Sequence, residues 1–259
     1  MMGGDHLDDV IAGRNPVKEA LRGDRTINKI LMLKNVKSGA LLEIMALAKE
    51  KGVLVQKVEK PSLNKFTGET AHQGVLALVS PKAYTPVEEM IAAIPPGEEA
   101  FFLMLDEISD PHNLGAILRT ADAAGAHGVI IPRRRAAPLT PTVAKASAGA
   151  IEHVPVAKVA NIVQTIDLLK KNGIWLIGAD PQGNDLLWEA RLDGPLALVI
   201  GGEDKGLGRL VRERCDYLVK LPMMGRINSL NASVAAALFA YEVVRQRREV
   251  MKNAGAPDS

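Results

Sequence analysis

Three stretches of the sequence combine amide, hydroxyl and carboxylate side chains with the glycine and proline that shape ligand loops: Asp106 to Leu114 (DEISDPHNL), Gly201 to Gly208 (GGEDKGLG) and Pro222 to Asn231 (PMMGRINSLN). Amides and hydroxyls orient polar ligands, and a carboxylate balances a positive centre. The middle loop discriminates between ligand classes. Gly201 and Gly206 have the spacing that begins a P-loop, but Leu207 and Gly208 stand where Lys and Ser or Thr are required, and Glu203 puts a negative charge where a phosphate would lie. No G-x-G-x-x-G follows the first strand of this half, which argues against a dehydrogenase. An acidic, glycine-lined loop suits a phosphate-free cofactor with a positive centre.

Each polar residue also has an ordinary structural use. Asn113 fits a helix cap, and Arg119, six residues on in an Ala-rich helix, fits either a solvated position or one reaching the mouth of the loops. Glu203 fits a turn carboxylate or one facing a helix that starts near Leu207. Ser229 and Asn231 precede the last helix, where Ser and Asn are favoured caps, and a side chain that fixes the helix start also fixes the loop before it. For Ser233, one step further in, the structural reading is stronger. Leu221 and Leu230 read equally as plain core. His112, beside Asn113, is of the residue type most used as a general base but is not counted among the catalytic candidates.

The elements that must position these loops follow from periodicity and punctuation. Residues 15–22 (NPVKEALR) read as a short helix with Asn15 as cap and Pro16 at its first position, and 27–33, 53–58 and 74–80 read as strands, with helices between them. Pro81, Pro86, Pro95 and Pro96 mark a linker over 81–99, with a short helix (VEEMIAAI) inside it. From Ala100 a second alternation of strands and helices begins, which implies an α/β fold with a mostly parallel sheet. In such sheets ligands sit outside the carboxyl ends of the strands, where these loops lie. The expected organisation is a front domain over 1–80, the linker, a second domain over 100–251 closed by a long helix from Asn231, and a frayed tail over 252–259.

Composition is consistent with this. Hydrophobic residues make up 47% of the chain but aromatics only 3%, so the core must be aliphatic. Residues 1–80 carry 12 Lys and Arg against 9 Asp and Glu, whereas the remainder carries 20 against 21; a basic excess at the front permits an RNA surface. The runs Arg133-Arg134-Arg135 and Arg245-Gln246-Arg247-Arg248 are sharper, although such runs are more often solvated faces. The single cysteine, Cys215, cannot pair within its chain or build a zinc cluster. No stretch approaches the roughly 18 apolar residues of a membrane span, and Met1 to Asp9 lacks the character of a signal peptide. A cytoplasmic protein without metal or membrane anchor is expected.

The loops carry a resemblance. N-L-G-x-I-x-R-T-A-x-x-x-G (Asn113 to Gly125), I-G-G-E-x-x-G-L (Ile200 to Leu207) and L-P-M…S-L-N-x-S-V-A (Leu221 to Ala235) are similar, in this order, to the three motifs of the SPOUT methyltransferases of the TrmH type. AGRNPVKEAL and HQGVLALV (72 to 79) resemble the start and end of that family's L30e-like RNA-binding domain, so the resemblance spans nearly the whole chain. It is nearest to the bacterial enzymes that methylate guanosine 2'-hydroxyls in 23S rRNA. The resemblance implies a deep trefoil knot in the second domain, a homodimer and S-adenosylmethionine as cofactor, whose sulfonium is the positive centre the acidic loop suits. It implies Asn113, Arg119, Glu203, Ser229 and Asn231 as the catalytic set, Gly201, Leu221 and Leu230 as cofactor contacts, and an RNA surface in the front domain, for which Arg14, Asn15 and Lys18 are candidates. A guanidinium is a poor general base, so Arg119 suits phosphate binding or alkoxide stabilisation better than proton abstraction. The alternatives are a tRNA or adenosine-specific rRNA 2'-O-methyltransferase, and an assembly protein that binds RNA without catalysis.

Overall fold

The computed structural model describes residues 9–253 apart from 24, 35–37, 68–71, 81 and 204. The acidic N-terminus and most of the expected tail lie outside the described residues. The chain forms two compact units, the first comprising residues up to 83 together with 138–153, the second 84–137 and 154 onward.

In the first unit, β1 (Asp9–Ala12), α1 (Arg14–Arg22), β2 (Ile27–Leu33), α2 (Gly39–Glu50), β3 (Val55–Val58), α3 (Lys60–Thr67) and β4 (Val75–Val79) follow in order. The sheet order is β1-β4-β2-β3, antiparallel except for β2 and β3. Alternation along β4 sorts its side chains: Val75, Ala77 and Val79 join Val17, Leu21, Leu41 and Ile44 beneath α1 and α2, while Leu76 and Leu78 meet Leu63 of α3 on the other face. Gly13, not Asn15, stands at the cap of α1, because the helix begins two residues earlier than the Asn-Pro pair suggests.

The second unit continues with α4 (Val87–Ala92), β5 (Phe101–Asp106), α5 (Pro111–Ala123) and β6 (Gly128–Pro132). The chain then passes through α6 (Pro141–Ala146), which is counted with the first unit, and returns as β7 (Val156–Val159), α7 (Ile162–Lys171), β8 (Trp175–Ala179), β9 (Asp185–Leu186), β10 (Leu196–Gly201), α8 (Arg209–Arg214), β11 (Tyr217–Lys220) and α9 (Ala232–Asn253). Seven strands in the order β7-β6-β5-β10-β8-β11-β9 form a parallel sheet. Parallel strands covered on both faces read as continuous apolar runs. All six residues of β5 (FFLMLD) and the first five of β10 are buried accordingly.

Two segments differ from expectation. The stretch expected as a linker carries Val87 and Met90 into the core of the second unit, where Met90 fills the space beside Gly128. Residues 138–153, expected as one more crossover of the second domain, pack with the first unit. There Arg25 meets Glu152 at 3.0 Å with both side chains almost fully buried, His153 Nε2 lies 2.8 Å from Glu19, and a Cβ on Gly149 would fall 2.8 Å from the Glu19 side chain. The second arginine run is not a solvated face throughout. Arg247 donates to the carbonyls of Glu99, Ala100 and Gly194, and Gln246 exchanges hydrogen bonds with Leu192 and Ala190, so these two residues fasten α9 under the sheet.

Candidate active site

The three loops converge at the carboxyl edge of the parallel sheet. Asn113 lies in the first turn of α5, whose cap is Asp110 accepting from the His112 amide, so Asn113 is free of the capping role and its buried side chain turns to the site. Asn231 donates to Asn113 Oδ1 at 2.9 Å and to Glu203 Oε1, while Asn113 Nδ2 donates to Glu203 Oε1 at 3.2 Å. The Ala232 amide donates to the same oxygen at 3.4 Å. The carboxylate thus faces the N-terminus of α9, not of α8, where partial positive charge favours it. Asn231 also caps α9, its Oδ1 accepting from the Ser233 hydroxyl and amide and the Val234 amide. Capping and site-building therefore coincide in one side chain, and Ser233 serves the cap.

Beside this cluster is a cavity of about 510 Å3 lined by Gly201, Glu203, Leu221, Ser229 and Leu230, among others. Its size falls within the roughly 300–1,000 Å3 of ordinary small-molecule sites. At Gly201 a Cβ would fall 2.2 Å from the Gly206 carbonyl carbon and 2.4 Å from the Leu207 nitrogen, so only glycine lets the loop fold back on the end of β10. Asp106 closes that fold: its Oδ2 accepts from the Gly208 amide at 2.7 Å, and its carbonyl accepts from Gly202. Burial pushes the Asp106 carboxyl up from its ordinary range, against the opposing pull of the Gly208 hydrogen bond.

A polar group on the far wall escaped the sequence reading. Asp180, held by the Gln182 amide at 2.8 Å, pairs with Arg212 at 3.2 Å, and Arg212 reaches Gln182 Oε1 at 2.9 Å. All three line the cavity. Asp106 and Asp180 each stand at the carboxyl end of a strand, or one residue past it, and that position was the available signal. The wall suits the implied cofactor: glycine backbone and leucine surface for an apolar ring system, and the carboxylate of Glu203 for a positive centre.

Arg119 is set apart from the cluster. Six residues beyond Asn113, it is turned by about 240° around the helix axis, and it is exposed and does not line the cavity. In the first unit, Arg14 holds Gln73 through its amide and Nε, Lys18 pairs with Glu43 at 3.1 Å, and Asn15 is exposed. Among the described residues no three His, Cys, Asp or Glu side chains gather as a metal site, and no helix is long and apolar enough to cross a membrane.

Residues 100–241 match the model of the SpoU rRNA Methylase family, and residues 10–85 match a model described as RNA 2'-O ribose methyltransferase substrate binding. A Bacillus subtilis protein named for the TrmH family of tRNA/rRNA methyltransferases, YacO, is 50% identical over 244 residues, covering 93% of this chain and 97% of its own length. Among solved structures, the SpoU methyltransferase AviRb of Streptomyces viridochromogenes in complex with AdoMet has a TM-score of 0.78 at 29% identity, covering 93% of this chain and 91% of that one. An AdoMet-bound rRNA methyltransferase of Sinorhizobium meliloti has a TM-score of 0.78 at 26% identity, covering 92% and 87%.

Proposed function

The chain belongs to the SpoU rRNA methylase family, as an S-adenosylmethionine-dependent RNA 2'-O-ribose methyltransferase, and we propose that its substrate is a guanosine of 23S rRNA in the peptidyl-transferase region. The observation that carries the catalytic reading is the convergence of Asn113, Glu203 and Asn231, one from each loop, beside a cavity lined by glycine backbone, leucine side chains and Glu203.

S-adenosylmethionine supplies an electrophilic methyl group on a sulfonium. In this reading Gly201, Leu221 and Leu230 hold the cofactor by backbone and apolar contact, and Glu203 balances its charge. Asn113 and Asn231 keep Glu203 and the loop ends fixed, and Ser229, on the cavity wall, contributes a hydroxyl to orient the acceptor. The protein's contribution is alignment and charge stabilisation. Arg119 stabilises the alkoxide developing on the ribose or binds the adjacent phosphate, a role compatible with its exposure.

The front unit reads the RNA, through the half-buried Arg14 and the exposed Asn15 in the first turn of α1. Lys18 contributes when it exchanges Glu43 for phosphate. The exposed apolar side chains Val234, Leu238 and Tyr241 along α9 supply a face for a homodimer. The trefoil knot belongs to the same reading, and so does a cytoplasmic setting. The wholly non-catalytic alternative leaves the ordered cluster without a purpose. A tRNA substrate is the rival that the YacO name keeps in play.

Mapping of 2'-O-methylation in total RNA with and without the gene tests the substrate. One guanosine methyl missing from the peptidyl-transferase region is the expected result, and a methyl missing from tRNA instead would transfer the assignment to the rival.

A further inference from the structure

We propose that Arg133 and Arg134 form a phosphate-binding site that seats the RNA strand flanking the target ribose. The inference rests on the family's reaction and concerns residues to which neither the motifs nor the cavity assign a role.

Three ties fix the loop that follows β6. The Arg133 amide donates to the Val159 carbonyl at 2.7 Å, the Ala137 amide donates to the Ile108 carbonyl at 2.9 Å, and Arg135 donates to Glu107 Oε1 at 2.7 Å. The last two bind it to the very loop that leads into Asn113. Glu107 and Arg135 both adopt left-handed backbone, with φ of 61° and 58°. Non-glycine residues rarely do so, and such strain gathers where a loop must present its neighbours in a set direction. The consequence for charge is specific. Arg135 is neutralised by Glu107, whereas Arg133 and Arg134 are exposed and have no acidic partner among the described residues.

Register gives the distance. Met104 pairs with Ile130 across β5 and β6, and Asp106 pairs with Gly201 across β5 and β10. Carried three residues further, the first pairing puts Arg133 level with Glu107, one position beyond the Gly201 pair. Two strand spacings, about 10 Å, therefore separate the Arg133 backbone from the cofactor loop. An arginine side chain spans most of that gap, and its planar fork matches a phosphate with two parallel hydrogen bonds. A ribose presented at the Asn113–Glu203 cluster brings its own 3'-phosphate within that range. The contact is independent of base, so it positions the strand without reading sequence.

The test compares the full-length protein with the R133A/R134A double variant and with R133K/R134K. RNA binding is measured from low to moderate salt on two labelled probes, a 23S rRNA peptidyl-transferase transcript and bulk tRNA, using whichever the wild-type protein binds more tightly. Loss of two phosphate contacts should weaken binding at least about tenfold at low salt and flatten the log affinity against log salt slope by about 1.5. S-adenosylmethionine affinity should be unchanged, KM for RNA should rise by a larger factor than kcat falls, and the lysine variant should recover the slope but not the full affinity. An unaltered slope and affinity in R133A/R134A would overturn the proposal, as would a fall in kcat with KM for RNA unmoved. Wild-type protein that binds RNA yet transfers no methyl group would remove the functional reading, while the salt slopes would still decide the phosphate site.

Discussion

Glu203 and Glu152 are both carboxylates held by partners distant in sequence, and they end in opposite conditions. Glu203 is exposed and collects neutral donors from two loops and a helix end. Glu152 is shut away against Arg25, with 1% and 4% of the two side chains exposed. A carboxylate ringed by amides at a cavity keeps capacity to meet a charged ligand. One sealed with a guanidinium keeps the chain together and has little left for a ligand. Burial, more than the partners, separates the working group from the structural one.

The largest effect should come from disarming the first of these. Asn113→Ala and Glu203→Ala are expected to lower methyl transfer by roughly 10²–10³-fold, the scale of losing a preorganised polar contact, with thermal unfolding nearly unchanged. Glu203→Ala should also weaken cofactor binding in a calorimetric titration, and Arg119→Ala should lose transfer without that weakening. Near-normal turnover in all three folded variants would dissolve the contrast.

Disarming the second should cost stability instead. Glu152→Ala removes the carboxylate from the buried pair with Arg25, a loss of up to about 3–5 kcal/mol, visible as a lowered unfolding midpoint. The double variant R25M/E152L should recover most of it, since apolar replacement of a buried pair is close to neutral. A midpoint unchanged in Glu152→Ala would mean that the pair is not what fastens residues 138–153.

Cys215 sharpens the contrast, because it reports on the second unit alone. Burial pushes its thiol up to about 12, so alkylation of the native protein at pH 8 should be far slower than after unfolding. Glu152→Ala should speed this labelling less than it lowers the first unit's stability. Equal acceleration would show that the two units open together.

The smallest expected effects are those of pH, and they carry opposite signs. Glu242 is lowered chiefly by its hydrogen bond from Arg245, so its contribution is present above the ordinary value of 4.5 and lost as pH falls through the folded value. Asp106 is raised chiefly by burial, so its contribution is full below 3.8 and lost as pH rises through the folded value. Acid titrations of stability for Arg245→Gln and Asp106→Asn should shift in opposite directions, and a shared direction would contradict these causes.

The parallel sheet was legible because its strands are apolar runs between helical patterns, and the three loops were legible because glycine, proline and amides cluster there. What stayed hidden has physical reasons. β1 (DVIA) is four residues long, too short for an alternation to register. Val87 and Met90 looked like part of a proline-rich linker, because burial against Gly128 leaves no periodic mark in so short a helix. Asp106, Asp180 and Arg212 are single polar residues that acquire meaning only when distant loops meet. Asn113 and Glu203 were found because they sit inside longer motifs, but that both share Asn231 as partner is a fact of three dimensions.

The detour of residues 138–153 sets a timetable for synthesis. The ribosome releases the strands of the first unit early, yet Val143, Ala144, Ala150 and Ile151, which are buried in the finished fold, are made about 60–70 residues after residue 83. At roughly 5–20 residues per second the gap lasts roughly 4–14 s, during which the nascent first unit waits with an apolar surface uncovered. Codon choice across residues 84–137 therefore bears on the yield of folded protein, since faster decoding there shortens the interval in which that surface can meet other chains.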